Sequence, residues 1–80
     1  MNRTHYLKTV QPYFNAVESG FKSFEVRFND RNYSVGDTLI LHEYDADKQE
    51  LTGKKIVKDV GYMLNDPAYV KEGFVILGFL

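Results

Sequence analysis

The eighty-residue sequence contains no cysteine and no tryptophan. Without thiols there is no disulfide framework, no thiolate zinc site and no cysteine nucleophile, and an intracellular setting is easily accommodated. Histidine is nearly as scarce. His5 and His42 lie far apart without metal-ligand spacing, so no metal site is expected. The run Asp45–Glu50 has the carboxylate density of a calcium loop but lacks its turning glycine and carries Lys48 among the would-be ligands. No glycine-rich phosphate loop and no Ser–His–Asp arrangement can be traced. Long apolar runs are missing as well: Phe74–Leu80 is too short to cross a bilayer, and the opening Met1–His5 has no apolar leader segment. A soluble, cytoplasmic protein with no membrane partner and no cofactor is the expectation. Nor is there an excess of one charge. Ten Lys plus Arg face eleven Asp plus Glu, a net charge of −1, which excludes a sequence-blind coat for nucleic acid.

What the chain does hold is aromatic surface. Six Phe and six Tyr make up 15% of the residues, within 44% hydrophobic and 26% charged overall. That composition is globular, and the length allows one domain, taken as residues 1–80. A chain this small buries only about 60–65% of its unfolded surface, so stability has to come from a few large side chains. The charge is also uneven: residues 1–31 carry +2, residues 32–53 carry −4, and the remainder carries +1. Any polyanion site therefore belongs to a local patch in the first third.

Along the chain, His5–Lys8 reads as a short first strand. Gln11–Ser19 reads as a helix, with Pro12 near its start, Gly20 after its end, and an apolar stripe of Val10, Phe14, Val17 and Phe21. From Phe24 to Asn29 the period drops to two, with Phe24, Val26 and Phe28 on one face and Ser23, Glu25, Arg27 and Asn29 on the other. Val35-Gly36-Asp37 signals a turn. Thr38–Tyr44 suits a strand buried on both sides, Asp45–Glu50 a hairpin loop, Gly53–Leu64 a long strand with a bulge at Gly61, and Phe74–Leu77 a last strand. The fold class expected is α+β: a small β-barrel of about five to six mostly antiparallel strands with one main helix, closure removing exposed edges.

The chemistry concentrates in Gly20-Phe21-Lys22-Ser23-Phe24-Glu25-Val26-Arg27, followed by Asn29-Asp30-Arg31. Glu25 and Arg27 are neighbours about 7 Å apart on one pleat face. An arginine fork suits phosphate or base edges, a glutamate accepts from an exocyclic amine, and Lys22 supplies a point charge. Tyr33 and Tyr44 flank the Gly36 turn and could stack on a base. The plainer alternative is a polar strand face in which an Arg–Glu pair shields the sheet.

This segment resembles the G-x-K-x-x-E-x-R signature of the ASCH domain, a branch of the PUA-like superfamily. His5-Tyr6-Leu7-Lys8, the helix with Tyr13 and Phe14, Asn29-Asp30-Arg31, Val35-Gly36-Asp37 and Glu43-Tyr44 extend the resemblance towards a small ASCH-like subfamily of bacteria and phages. The resemblance implies a small PUA-like barrel and a cleft that binds RNA or a nucleotide-like ligand. Lys22, Glu25 and Arg27 would line it, with Arg31, His5, Lys8, Tyr33 and Tyr44 as further binding candidates. One branch of that family hydrolyses an amide of N4-acetylcytidine with the motif lysine, a threonine and a more distant glutamate. Lys22 matches the lysine, Glu25 stands where the threonine would be, Ser23 is one pleat step away, and Glu43 is a candidate for the distant glutamate. A binding module is therefore the first expectation, and a small amidohydrolase relying on Lys22 the second. A protein-interaction module, monomeric or weakly homodimeric, is the third.

Overall fold

The computed structural model describes residues 2–80; Met1, the first residue of the opening segment Met1–His5, lies outside them. Among the described residues are five strands and one short helix: β1 (Thr4–Thr9), α1 (Tyr13–Glu18), β2 (Phe24–Phe28), β3 (Thr38–Asp45), β4 (Glu50–Leu64) and β5 (Phe74–Phe79). They form one sheet in the order β1-β3-β4-β5-β2, with β1 and β3 parallel and the other pairs antiparallel. No helix is long and apolar enough to cross a membrane.

The long strand β4 serves two partners. Its first part pairs with β3, and from Val60 onward it pairs with β5. The register shifts between Val60 and Tyr62, which places the bulge at Gly61 as expected. A Cβ there would come within 3.1 Å of the Leu80 backbone, so a side chain at the bend would press on that residue. The hairpin before β4 turns at Ala46–Gln49, where Asp45 Oδ1 accepts the Asp47 and Lys48 amides. The acidic loop is thus a self-bonded turn of the kind Asp favours.

Alternating residues of β1, β3 and β5 point into a core of Leu7, Val17, Tyr33, Leu39, Leu41, Val60, Val75 and Leu77. Phe14 and Val17 are the buried face of α1, while Val10 is exposed and Phe21 is 91% exposed. The expected four-residue stripe is therefore two residues long, because the helix ends before Phe21 can return to the same face. In β3, Leu39 and Leu41 are fully buried but Ile40 is half-buried, so the strand has one inner face rather than two.

β2 is oriented against its hydrophobic pattern. Phe24, Val26 and Phe28 are 41%, 49% and 56% exposed, whereas Glu25 is 3% exposed. Glu25 sits opposite Leu77 and Arg27 opposite Val75, so the polar side of β2 shares the inner face of its neighbour. Outside, Phe28 meets Phe74 edge-on at 5.5 Å, and Val26 lies opposite Ile76.

The ladder of main-chain hydrogen bonds stops at β1 and β2, so the sheet is open where a barrel would close. Arginines cover these edges instead. Arg27 Nη2 donates to the Lys8 carbonyl at 2.8 Å, and Arg31 Nη1 donates to the Tyr6 carbonyl at 3.0 Å. In return Arg3, just ahead of β1, donates to the Arg31 and Asn32 carbonyls beyond β2. Three guanidiniums thus occupy carbonyls along β1 and just beyond β2, at the seam where a closing β1–β2 pairing would run.

At the other end of β1 the anchor is Asp37, which is fully buried. Its Oδ1 accepts the Arg3 amide at 3.0 Å, and its Oδ2 accepts the Ser34 amide at 3.0 Å and pairs with His5 Nε2 at 2.8 Å. Tyr33 packs on the His5 ring at 4.7 Å. Burial alone would raise the Asp37 carboxyl, but hydrogen bonds from His5, Arg3 and Ser34 outweigh it and hold the group below its ordinary value. A carboxyl depressed in this way contributes stability that is complete above the unfolded value of about 3.9 and is lost as pH falls through the folded one. Urea unfolding is expected to weaken progressively below about pH 4. Asp37→Asn is expected to be about 2–4 kcal/mol less stable near neutrality, with a flatter profile in that acidic window.

Candidate functional site

The site begins at the end of α1. Gly20 takes φ +84°, a conformation glycine adopts freely, and the reversed chain lets the Lys22 amide donate back to the Ala16 carbonyl at 2.9 Å. The Gly-x-Lys spacing therefore plants Lys22 against the helix terminus, immediately before β2. Glu25 and Arg27 follow on the inner face of that strand.

The three side chains converge. Lys22 Nζ donates to Glu25 Oε1 at 2.7 Å and to the Phe24 carbonyl at 2.7 Å. Arg27 grips the other carboxylate oxygen through Nε at 3.1 Å and Nη2 at 3.0 Å. Nη2 also reaches Thr9 Oγ1 at 3.2 Å. Glu25 is enclosed, while the Lys22 and Arg27 side chains keep 18% and 24% of their surface. Buried carboxylates persist only when paired and hydrogen-bonded, and this one has a cation on each oxygen.

The trio faces a cleft of about 470 Å³, in the gap between β1 and β2, completed by Lys8, Thr9, Val10, Tyr13, Phe24 and Val26. Lys22 lies between two rings, 5.1 Å from the centre of Phe24 and 6.0 Å from that of Tyr13. Lys8 Nζ sits 4.6 Å over Tyr44 at the rim. With three cations against one carboxylate, the cleft is locally positive within a chain of net charge −1. No cluster of His, Asp or Glu that could hold a metal occurs among the described residues.

Not every expected site residue is here. His5 and Tyr33 are buried in the core beside Asp37, and burial pushes the Tyr33 phenol above its ordinary value despite Arg31 and Arg27 nearby. Neither offers a stacking surface. Arg31 is engaged with the Tyr6 carbonyl and does not line the cleft. Tyr44 and Glu43 line a neighbouring groove with Gln11 and Asp47. There Glu43 accepts hydrogen bonds from Thr52 and Gln11, which lower its carboxyl from the ordinary value. Ser23 is exposed and outside the cleft. Conversely, Thr9, Val10 and Tyr13 were not legible as one site, since no sequence spacing links the end of β1 to β2; the polar motif marked its own strand alone.

Glu25 and Arg27 are expected to behave as a unit. Removing the carboxylate, as in Glu25→Leu, leaves two cations facing each other and should cost about 2–4 kcal/mol. A double-mutant cycle with Arg27→Met, read by urea unfolding, should return a coupling of about 1–3 kcal/mol. Additivity within experimental error would show that the pair is a surface ornament.

Comparison with known proteins places this arrangement in a family. Over 56 residues, 70% of the chain, the sequence is 45% identical to a protein of Escherichia phage P2 described as an uncharacterized 12.9 kDa protein in the GpA 3′ region. The match spans half the length of that phage protein. The family model of DUF3850, a domain of unknown function, matches residues 4–79, which takes in every strand, the helix and the whole cleft; the chain belongs to the DUF3850 family.

Proposed function

We propose that the chain is a binding module for RNA or a nucleotide-like ligand, seated in the cleft between β1 and β2. The observation that carries the reading is the convergence of Lys22, Glu25 and Arg27 on one concavity, where a polar strand face with no such role would splay into solvent. Phe24 and Tyr13 beside Lys22 give the site flat apolar surface next to positive charge, the combination that single-stranded nucleic acid uses. The same convergence supports the resemblance to ASCH and PUA-like domains. On that reading the sheet is a small barrel whose last seam is bridged by arginines, working in the cytoplasm. Lys22 acts here as a hydrogen-bond donor, in keeping with binding.

The phosphate contacts fall to Lys8, Lys22 and Arg27. For three contacts to a single strand, log affinity should fall with log salt at a slope near −2, a modest electrostatic contribution. Titration of ¹⁵N-labelled protein with a short mixed-sequence RNA is expected to shift amides at residues 8–11, at Tyr13 and at residues 22–27. Lys22→Ala should weaken those shifts while leaving the rest of the spectrum in place. Absence of shifts, or shifts indifferent to Lys22→Ala, would overturn the reading.

A further inference from the structure

The hydrogen-bonding character of the cleft is one-sided. From the sequence, Glu25 could read a base amine, yet in the structure the residue is enclosed and a cation already sits on each of its oxygens. The carbonyls of Lys8 and Phe24 each already accept one hydrogen bond, from Arg27 and Lys22. What the side chains still offer is donors. An ammonium has three protons, and Lys22 uses two contacts, leaving one. Arg27 works through Nε and Nη2, so its Nη1 protons make no hydrogen bond among the described residues. Lys8 adds a further ammonium at the rim, and Thr9, whose oxygen accepts from Arg27, keeps its own proton. Val10, Val26, Phe24 and the Tyr13 ring supply the walls; the Tyr13 hydroxyl alone can serve either way.

We infer that the cleft selects nucleotides by the acceptors they present, taking the phosphate together with an oxo-edged base, guanine, hypoxanthine or uracil, in preference to the amino-edged adenine and cytosine. An oxo oxygen receives the Lys22 or Arg27 protons that point into the cleft. An exocyclic amine in the same place brings donor against donor, and neither side regains the hydrogen bonds it gave up to water. Apolar walls beside these donors sharpen the difference, since they offer an unpaired base amine no alternative partner. The inference rests on the nucleotide-binding reading and specifies which bases that site takes.

Two ligand pairs isolate the oxo-for-amino exchange: uridine against cytidine 5′-monophosphate, and inosine against adenosine 5′-monophosphate. Dissociation constants from NMR titration of the unaltered protein are expected to favour the oxo member of each pair by about tenfold, the low end for a well-placed base contact. Arg27→Lys, which keeps the charge and removes the fork, should shrink that ratio to about threefold or less, with amide dispersion confirming that it folds. If all four nucleotides bind and the amino members bind equally well or better, the acceptor preference is wrong while nucleotide binding stands. Should none of them shift the cleft amides, nucleotide binding itself falls and the preference with it.

Discussion

A carboxylate held between two cations on the inner face of an edge strand sets the terms for the rest of this molecule. Taking Glu25 out of water is costly by itself, and the arrangement is stable because Lys22 and Arg27 approach its two oxygens from opposite sides. The guanidinium that completes the pairing also reaches across to the end of β1. One side chain thereby neutralises a buried charge, covers an unpaired strand edge and forms the floor of a cleft. Removing the Arg27 side chain therefore disturbs all three.

Seen this way, β1 is lashed at both ends by polar groups rather than along its length by a second ladder. Asp37 holds its beginning through the Arg3 amide and His5, and Arg27 holds its end through Lys8 and Thr9. Between them Arg31 takes the Tyr6 carbonyl. A parallel partner on one side and side-chain contacts on the other leave an opening that a closed barrel would lack. The opening lies where Lys22 is delivered by the turn after α1, and so the cleft is a product of the incomplete seam.

Elements with an unambiguous local signal were legible in the sequence. The Gly61 bulge and the helix between Pro12 and Gly20 follow from spacing and residue type, whereas the run Leu39-Ile40-Leu41 suggests burial on both faces and only Leu39 and Leu41 are buried. The strand period also puts Glu25 and Arg27 on one face, whereas Lys22, outside the strand, joins them through the turn after α1. What failed was anything decided by partners distant in the chain. His5 looked like a ligand until Asp37, thirty-two residues away, turned out to hold it in the core. Arg31 spends one nitrogen on the Tyr6 carbonyl, away from the lining of the cleft. Phe21 fitted a helical stripe that the helix was too short to continue. The count of strands points to a barrel, but whether the edge strands β1 and β2 pair depends on the gap between them, which no local pattern encodes.

The outward-facing aromatics of β2 have one more consequence. In an ordinary strand, greasy residues choose the inner side and polar ones follow, so sliding by a single position is forbidden by the loss of burial. Here a slip of one residue would carry Phe24, Val26 and Phe28 inward, a gain in burial, and it would cast Glu25 and Arg27 into water. The native alignment of β2 is therefore upheld by electrostatics against the pull of hydrophobicity. Its competitor is a shifted strand of the same sequence, which makes the ion trio a proofreader of register as well as a lining for the cleft.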